Sequence, residues 1–141
     1  MVKTQMLDIQ TQGNCDIVDI TADVQSAVAA AGLTDGTVTV FNIGSTAGIT
    51  TIEYEPGLVK HDIKAAMEKI APQNGRYEHE ETWHDDNGHA HVRATLLGPS
   101  LVVPFCKQKL TLGTWQQIVL IDFDTRPRTR NVVCQIMGDL D

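Results

Sequence analysis

The chain has 141 residues, of which 42% are hydrophobic, and it carries a formal net charge of −7. This length and hydrophobic content suffice for one well-buried core, so we expect a single domain over residues 1–141. The acidic balance argues against nucleic-acid binding, which depends on clustered Lys and Arg. The one dense basic stretch, RPRTR at 126–130, is more typical of a solvated turn or a subunit contact.

Targeting segments and cysteine spacing in the sequence indicate where the protein is located in the cell. The apolar runs fall short of the roughly 20 residues that a membrane helix needs, and the first ten residues lack the apolar core of a signal peptide. Cys15, Cys106 and Cys134 are far apart and show no C-x-x-C spacing. This pattern is typical of reduced thiols buried as small hydrophobes. We therefore expect a cytoplasmic protein that does not associate with membranes.

The first half of the chain alternates between strand and helix patterns. Loose apolar–polar alternation over 3–20, broken at TQGN, predicts two strands paired as a hairpin. A helix is predicted to follow, with Thr21 as its N-cap and Gly32 at its end. Strands are then predicted over 37–44 and 49–55, and a second helix over 56–72 with one apolar face.

The second half is mainly β. Residues 79–87 are predicted to form a loop, and the segment after Asn87 could be a strand, although a short helix capped by Asn87 fits better. Strand patterns cover 101–105, 109–124 and 129–138. The total is about seven strands and two or three helices, which predicts an α+β fold: a mixed or antiparallel sheet with helices packed on it.

The segment HEETWHDDNGHAH, residues 79–91, contains four of the five histidines. A catalytic zinc site needs about three protein ligands, and His79, His89 and His91 are the candidates, with His84 less certain. On a strand His89 and His91 would share a face, whereas on a helix they would diverge by about 200°. Without a metal, the same imidazoles could serve as general acids or bases near neutral pH. A solvated polar loop is the alternative.

Two further polar segments stand out. GSTAGIT, residues 44–50, offers backbone N–H groups and the hydroxyls of Ser45 and Thr46 to an anion, with Glu53 close behind. It lacks the Walker lysine and a G-x-S-x-G elbow, so neither a nucleoside triphosphatase nor a serine hydrolase is indicated. In LGTWQQI, Trp115 and Gln116 are expected in core or interface packing, or lining a pocket.

Three segments in this order, GSTAGITTIEYEP, YEHEETWHDDNGHAHVRATLLGPS and LTLGTWQQIVLIDFD, resemble the YjbQ-like family, whose members are often labelled secondary thiamine-phosphate synthase. The resemblance covers roughly residues 5–138 and implies a compact α+β fold, a homotrimer and a polar site built from the histidine segment and the hydroxyl-rich turn. Matching positions are Thr46, Glu53, His79, Asn87, His91, Trp115 and Gln116. The chain departs from many members at Gly44, where they have histidine, and at His89, where they have other residues.

The activity implied by the resemblance joins a pyrimidine pyrophosphate to a thiazole phosphate and expels pyrophosphate, which calls for anion-binding donors and a divalent ion. The catalytic residues would be His79, His91, Glu53 and Asn87. Ser45, Thr46, Arg93, Trp115 and Gln116 would bind the phosphorylated substrate. A metal held by His79, His89 and His91 would be zinc, whereas magnesium would prefer Glu53, Asp85 or Asp86. The alternative is a trimer that binds a metal or metabolite without catalysis.

Overall fold

The computed structural model describes residues 1–140, which form an α+β fold with two antiparallel sheets and four α-helices, as the predicted fold class requires. The strands are β1 (Val2–Thr11), β2 (Asp16–Asp19), β3 (Asp35–Asn42), β4 (Ala47–Ile52), β5 (Ser100–Cys106), β6 (Lys109–Leu110), β7 (Gln117–Asp122) and β8 (Arg128–Asp139). The helices are α1 (Thr21–Ala31), α2 (Ile63–Ile70), α3 (Glu78–Trp83) and α4 (Gly88–Leu97), and a π-helical turn over Leu58–Asp62 leads into α2.

The strands divide into a five-stranded sheet, in the order β1-β8-β3-β5-β6, and a three-stranded sheet, in the order β2-β7-β4. The predicted hairpin of the first two strands is wrong, because β1 pairs with β8 while β2 pairs with β7 in the other sheet. Three residues between β1 and β2 have positive φ: Gly13, Asn14 and Cys15. The Asn14 amide donates to the Asp124 carbonyl oxygen at 2.6 Å, so this turn carries the chain from one sheet to the other.

The strand β7 is buried on both faces, which explains its unbroken apolar run. Ile118 and Leu120 point into the core between the two sheets and α1. Val119, Ile121 and Phe123 point the other way, into a second core beneath α2 and α4. The three-stranded sheet is therefore the middle layer of the molecule, and the helices that carry the histidines pack on its outer side.

Several local predictions need correction. Thr21 is the first residue of α1 rather than its cap, and its amide and hydroxyl both donate to Asp19. Gly32 does end the helix, with φ of 68°. The predicted loop over 79–87 is wrong in its first half, which is α3, and the predicted 109–124 strand is interrupted between β6 and β7.

Three expectations about burial also change. Trp115 lies in that interruption with 72% of its surface exposed, so it is not a core residue of this chain. Cys106 is exposed, although Cys15 and Cys134 are buried as expected. The RPRTR stretch is not simply a solvated turn, because Arg128 and Arg130 belong to β8 and Arg130 is buried. Within residues 1–140, no helix is long and apolar enough to cross a membrane.

Candidate functional site

The histidine segment forms two short helices, α3 and α4, that bring His79 and His91 together. Their ring centroids are 4.3 Å apart and the rings are tilted by 51°. The α4 helix starts where predicted, but Asn87 makes no capping hydrogen bond. Instead Glu80 accepts from the Gly88 amide at 2.6 Å. This leaves the Asn87 side chain free to join the polar site.

The Asn87 amide lies between two groups of polar atoms. Its Oδ1 end is 3.0 Å from His79 Nε2, and 3.1 and 3.2 Å from the two carboxylate oxygens of Asp85. Its Nδ2 end is 3.4 Å from Asp124 Oδ1. His79 Nε2 is itself 3.2 Å from Asp85 Oδ1. One amide thus links the histidine segment to Asp124, which follows β7.

Asp124 also reaches the hydroxyl-rich turn before β4. The Thr46 hydroxyl donates to Asp124 Oδ2 at 2.8 Å and accepts from Arg130 Nη2 at 2.7 Å. Both Thr46 and Asp124 are buried, whereas Ser45 is exposed on the same turn. A continuous chain of polar contacts therefore runs from the turn to His79, through Asp124 and Asn87.

A buried ion pair supports this chain from within the molecule. Arg130 donates to both carboxylate oxygens of Asp122, at 2.7 and 2.8 Å, and the Thr11 hydroxyl donates to Asp122 at 2.6 Å. Arg128 donates to Asp124 Oδ2 at 2.9 Å. Because each buried carboxylate has an arginine and hydroxyl donors, their charges are balanced where water is absent.

Local contacts set the protonation of two groups. Burial opposes ionisation of Asp124, but hydrogen bonds from the Thr125 amide and the Thr46 hydroxyl, with the Arg128 charge, outweigh it and lower its pKa. Burial lowers the pKa of His91, and the neighbouring His79 lowers it further. Asp124 is thus a carboxylate and His91 a neutral imidazole near pH 7.

His89 and Arg93 face away from this site. They lie on the inner side of α4, where both are almost fully buried, because His89 is two residues from His91 on a helix. Arg93 donates to the Ala71 carbonyl at 2.9 Å and to Glu68 at 2.6 Å. Among the described residues, His89 Nδ1 has no hydrogen-bond partner. The structure thus places neither residue beside His79 or Thr46.

Glu53, Trp115 and Gln116 lie at the far end of β4. Thr46 precedes that strand and Glu53 follows it, a separation of roughly 20 Å because each residue advances about 3.3 Å. Gln116 donates to the Thr51 hydroxyl at 3.1 Å and lines a separate cavity of about 380 Å³ between β4 and β5. Of the residues predicted from sequence, His79, Asn87, His91 and Thr46 come together, and exposed Ser45 precedes Thr46 on the turn. Glu53, Trp115 and Gln116 do not join them.

A cavity of about 280 Å³ opens beside the convergent residues. Its lining is Asp85, Asp86, Asn87, Asp124, Thr125 and Arg126. The sequence patterns did not indicate Asp122, Asp124 or Arg130, although all three take part in this arrangement. One signal was present: the apolar segment QIVLIDFD ends in two aspartates spaced by two, a spacing that places both side chains on the same face of an extended chain.

Comparisons with known proteins agree along the whole chain. The family model for "UPF0047 protein YjbQ-like" matches residues 5–139. A UPF0047 protein of Archaeoglobus fulgidus is 40% identical over 131 residues, covering 93% of this chain and 98% of that protein. YugU of Bacillus subtilis, also a UPF0047 protein, is 34% identical over 139 residues, covering 98% and 100%.

Solved structures extend the likeness to three dimensions. A crystal structure of a YbjQ-like protein of unknown function from Sulfolobus solfataricus P2 has a TM-score of 0.87 at 33% identity, covering 99% of this chain and 100% of that one. An uncharacterised YjbQ/UPF0047 protein of Clostridium acetobutylicum has a TM-score of 0.84 at 37% identity, covering 94% and 99%.

Proposed function

This chain belongs to the UPF0047 (YjbQ-like) family, a family of unknown function, and we propose that it is an enzyme acting on a small phosphorylated substrate at the site of Thr46, His79, His91 and Asp124. The main support is the chain of contacts that joins Thr46 to His79 through Asp124 and Asn87. Buried polar groups aligned beside a cavity, with neighbouring imidazoles, are typical of catalytic sites.

Each part of the site has a role in this proposal. Exposed Ser45 and the turn amides bind phosphate oxygens, and Arg130 replaces Arg93 as the nearby positive charge. The neutral His91 imidazole donates a hydrogen bond to the leaving pyrophosphate, while His79 and Asn87 orient the His91 ring. Asp124 holds the Asn87 amide and the Thr46 hydroxyl in place.

The charge of the cavity bears on how a phosphate would enter. Asp85, Asp86 and Asp124 line it with Arg126 as the one basic side chain, so a free phosphate would be repelled. A divalent ion, bound with the substrate, would neutralise this repulsion and stabilise a leaving phosphate. A metal-assisted reaction therefore suits the lining better than a metal-free one.

The specific reaction we propose is the formation of thiamine phosphate. The ring nitrogen of the thiazole phosphate bonds to the methylene carbon of the pyrimidine pyrophosphate. The bond from that carbon to the pyrophosphate oxygen breaks, and pyrophosphate leaves with the electron pair. The developing negative charge is on the leaving group, where donors and a cation lower the barrier most.

Turnover of this substrate pair by purified protein, with Mg²⁺ or Mn²⁺, tests the proposal. Replacing His91 with Ala should lower kcat about 100-fold or more, in the range typical of a lost hydrogen-bond donor to a developing anion. His61→Ala is the matched control, because His61 is exposed and contacts Asp62 outside the site. Unchanged turnover in His91→Ala, or no turnover of this pair by the unaltered protein, would refute the assigned reaction.

A second candidate is a trimer that binds a metal or metabolite without catalysis. The outer face of the five-stranded sheet supports association, since it exposes neighbouring apolar side chains at 41–59% of their surface: Val2, Met6, Phe41, Val102 and Met137. Apolar patches of this kind commonly mark subunit interfaces. In either case we expect the protein to act in the cytoplasm, where its free cysteines stay reduced.

Light scattering after size exclusion, with and without a chelator, tests the second candidate. We expect a trimer, and Val102→Asp should reduce it to monomers by placing a charge within the apolar face. If the unaltered protein is a monomer, the expected trimer is refuted, whether or not the protein is an enzyme. A metal-free trimer that turns over the substrate pair would favour the enzyme.

A further inference from the structure

The Asn87 side chain lies between two carboxylates and can donate to only one of them. Its Nδ2 end is 3.4 Å from Asp124 Oδ1, and its other end is 3.1 and 3.2 Å from the two oxygens of Asp85. If Nδ2 donates to Asp124, the amide oxygen faces the oxygens of the Asp85 side chain. If the amide is reversed, its NH2 group donates to Asp85 and His79, but its oxygen then faces Asp124.

An amide oxygen about 3 Å from a carboxylate oxygen is repulsive unless something positive lies between them. Asp124 is 2% exposed, so water has little access to replace the Nδ2 donor there, whereas 39% of the Asp85 side chain is open to solvent. That orientation turns Oδ1 toward Asp85 and His79. We propose that a divalent metal ion binds there, with His79 Nε2, Asp85 Oδ1 and Asn87 Oδ1 as its ligands.

The spacing of these three atoms fits metal coordination. They are separated by 3.0 Å (His79 to Asn87), 3.2 Å (His79 to Asp85) and 3.1 Å (Asn87 to Asp85). Adjacent ligands of an octahedral ion lie about 3.0 Å apart when each is about 2.1 Å from the metal. The three atoms therefore match one face of an octahedron, and the ion would keep further positions for water or substrate oxygens.

The donor types narrow the choice of ion. One imidazole with two oxygen donors suits Mn²⁺, Fe²⁺ or Zn²⁺ better than Mg²⁺, which prefers oxygen alone. Within residues 1–140, no three His, Cys, Asp or Glu side chains converge to hold an ion, so the amide is needed to complete this set. His89 has no part in it.

This inference rests on the proposed function only where the ion takes part in turnover. The test therefore measures metal binding in the absence of substrate. Mn²⁺ is titrated into full-length, tag-free protein, and free Mn²⁺ is followed by electron paramagnetic resonance. We expect one ion per chain. Asp85→Asn and His79→Ala should weaken binding about tenfold or more. Asp62→Asn is the matched control, because Asp62 is exposed and pairs with His61 outside the site, and it should change affinity less than twofold.

The Asn87→Asp variant tests whether the Asn87 side-chain oxygen is a metal ligand or whether its NH2 group only donates hydrogen bonds. A carboxylate is a stronger metal ligand than an amide oxygen, so this variant should bind Mn²⁺ more tightly than the unaltered protein. Weaker binding by Asn87→Asp would show that the amide donates toward Asp85 and would overturn the proposal. Absence of saturable binding, or equal loss in Asp85→Asn and Asp62→Asn, would overturn it too. Mn²⁺ binding without thiamine-phosphate synthesis would refute the assigned reaction and leave the metal site standing.

Discussion

At the scale of single residues, the side chain of Arg93 shows how a buried charge is stabilised in this fold. It is 2% exposed, and it donates to the Glu68 carboxylate at 2.6 Å and to the Ala71 carbonyl at 2.9 Å. Glu68 remains partly exposed, with 42% of its side chain accessible. The pair joins α4 to α2 and keeps the inner face of the histidine-bearing helix in place.

Glu68→Gln should lower the free energy of unfolding by about 1–2 kcal/mol at pH 7, because it removes the carboxylate of a charge-assisted hydrogen bond that is only partly screened by water. Chemical denaturation measures this. Glu81→Gln is the matched control: Glu81 also accepts from an arginine, Arg76, at 2.8 Å, but both side chains are exposed. It should change stability by less than about 0.5 kcal/mol. Equal losses in the two variants would contradict the account.

The same pair predicts a dependence on pH. The hydrogen bond from Arg93 is the main reason that the pKa of Glu68 is lowered from its ordinary value of 4.5. A lowered pKa stabilises the fold fully above pH 4.5, and the contribution is lost as the pH falls through the lowered value. The stability difference between the unaltered protein and Glu68→Gln should therefore shrink as the pH falls below 4.5. A difference that stays constant over this range would contradict the linkage.

Part of the site could be predicted from the types of residues in the sequence. The histidine density pointed to His79 and His91, and the Asn87 position at the start of a helix was predicted, although its side chain binds across the site instead of capping. Asp124 and Arg130 were not found, because their roles depend on contacts with Thr46, which is 78 and 84 positions away in the chain. No local pattern encodes such pairings.

At the scale of elements, the position of α4 on the three-stranded sheet depends on a glycine. A Cβ on Gly48 would lie 2.7 Å from both the Gly98 carbonyl oxygen and Leu97 Cδ2. The Ile49 amide donates to that same carbonyl at 3.1 Å. The end of the helix and strand β4 can therefore approach only because residue 48 has no side chain.

Gly48→Ala should destabilise the protein by about 2–3 kcal/mol, since the helix end must shift to relieve the overlap. Thermal unfolding, followed by circular dichroism, measures this. Gly113→Ala is the control, because a Cβ there meets the Gln116 side chain at an ordinary 3.6 Å. Equal melting temperatures for Gly48→Ala and Gly113→Ala would contradict the close packing of α4 on β4.

Element types were more predictable than their pairing. The periodicity of residues 21–32 and of the segment after Asn87 indicated helices, and both formed, because local apolar spacing determines them and a glycine ends each one. The hairpin of the first two strands did not form. Alternation shows that a segment is extended, but the partner strand is chosen by burial across the whole core, and here the positive-φ turn at residues 13–15 separates the two sheets.

At the scale of the whole molecule, the three layers give the three cysteines different environments. Cys134 lies in the core between the sheets, where burial raises its pKa to about 11. Cys15 lies in the second core and its pKa is also raised by burial. Cys106 is exposed at the end of β5.

Alkylation of the native protein at pH 8 should therefore modify Cys106 first. Cys15 and Cys134 should react at least about 100-fold more slowly, because their thiols become accessible only when the cores open. Peptide mass spectrometry gives the order. Denatured protein is the control, in which all three should react at similar rates, and early modification of Cys134 in the native protein would contradict the layered core.

The site is also a property of the whole molecule. Thr46 comes from the middle layer, His79 and His91 from the helices outside it, and Arg130 from the five-stranded sheet. The composition of the histidine segment and the turn suggested that they would meet. Their meeting point at Asp124 followed from the stacking of layers, and the same stacking left Glu53 and Gln116 at the opposite end of β4.

Backbone amide shifts, followed by NMR while thiazole phosphate and Mg²⁺ are added, test most directly where the functional site lies. We predict that the shifted amides cluster at residues 44–47, 79, 85–91 and 124–126, around the Thr46–Asp124–Asn87 contacts. Shifts confined to residues 51–53 and 111–117, at the far end of β4, would contradict this account, as would the absence of any saturable change.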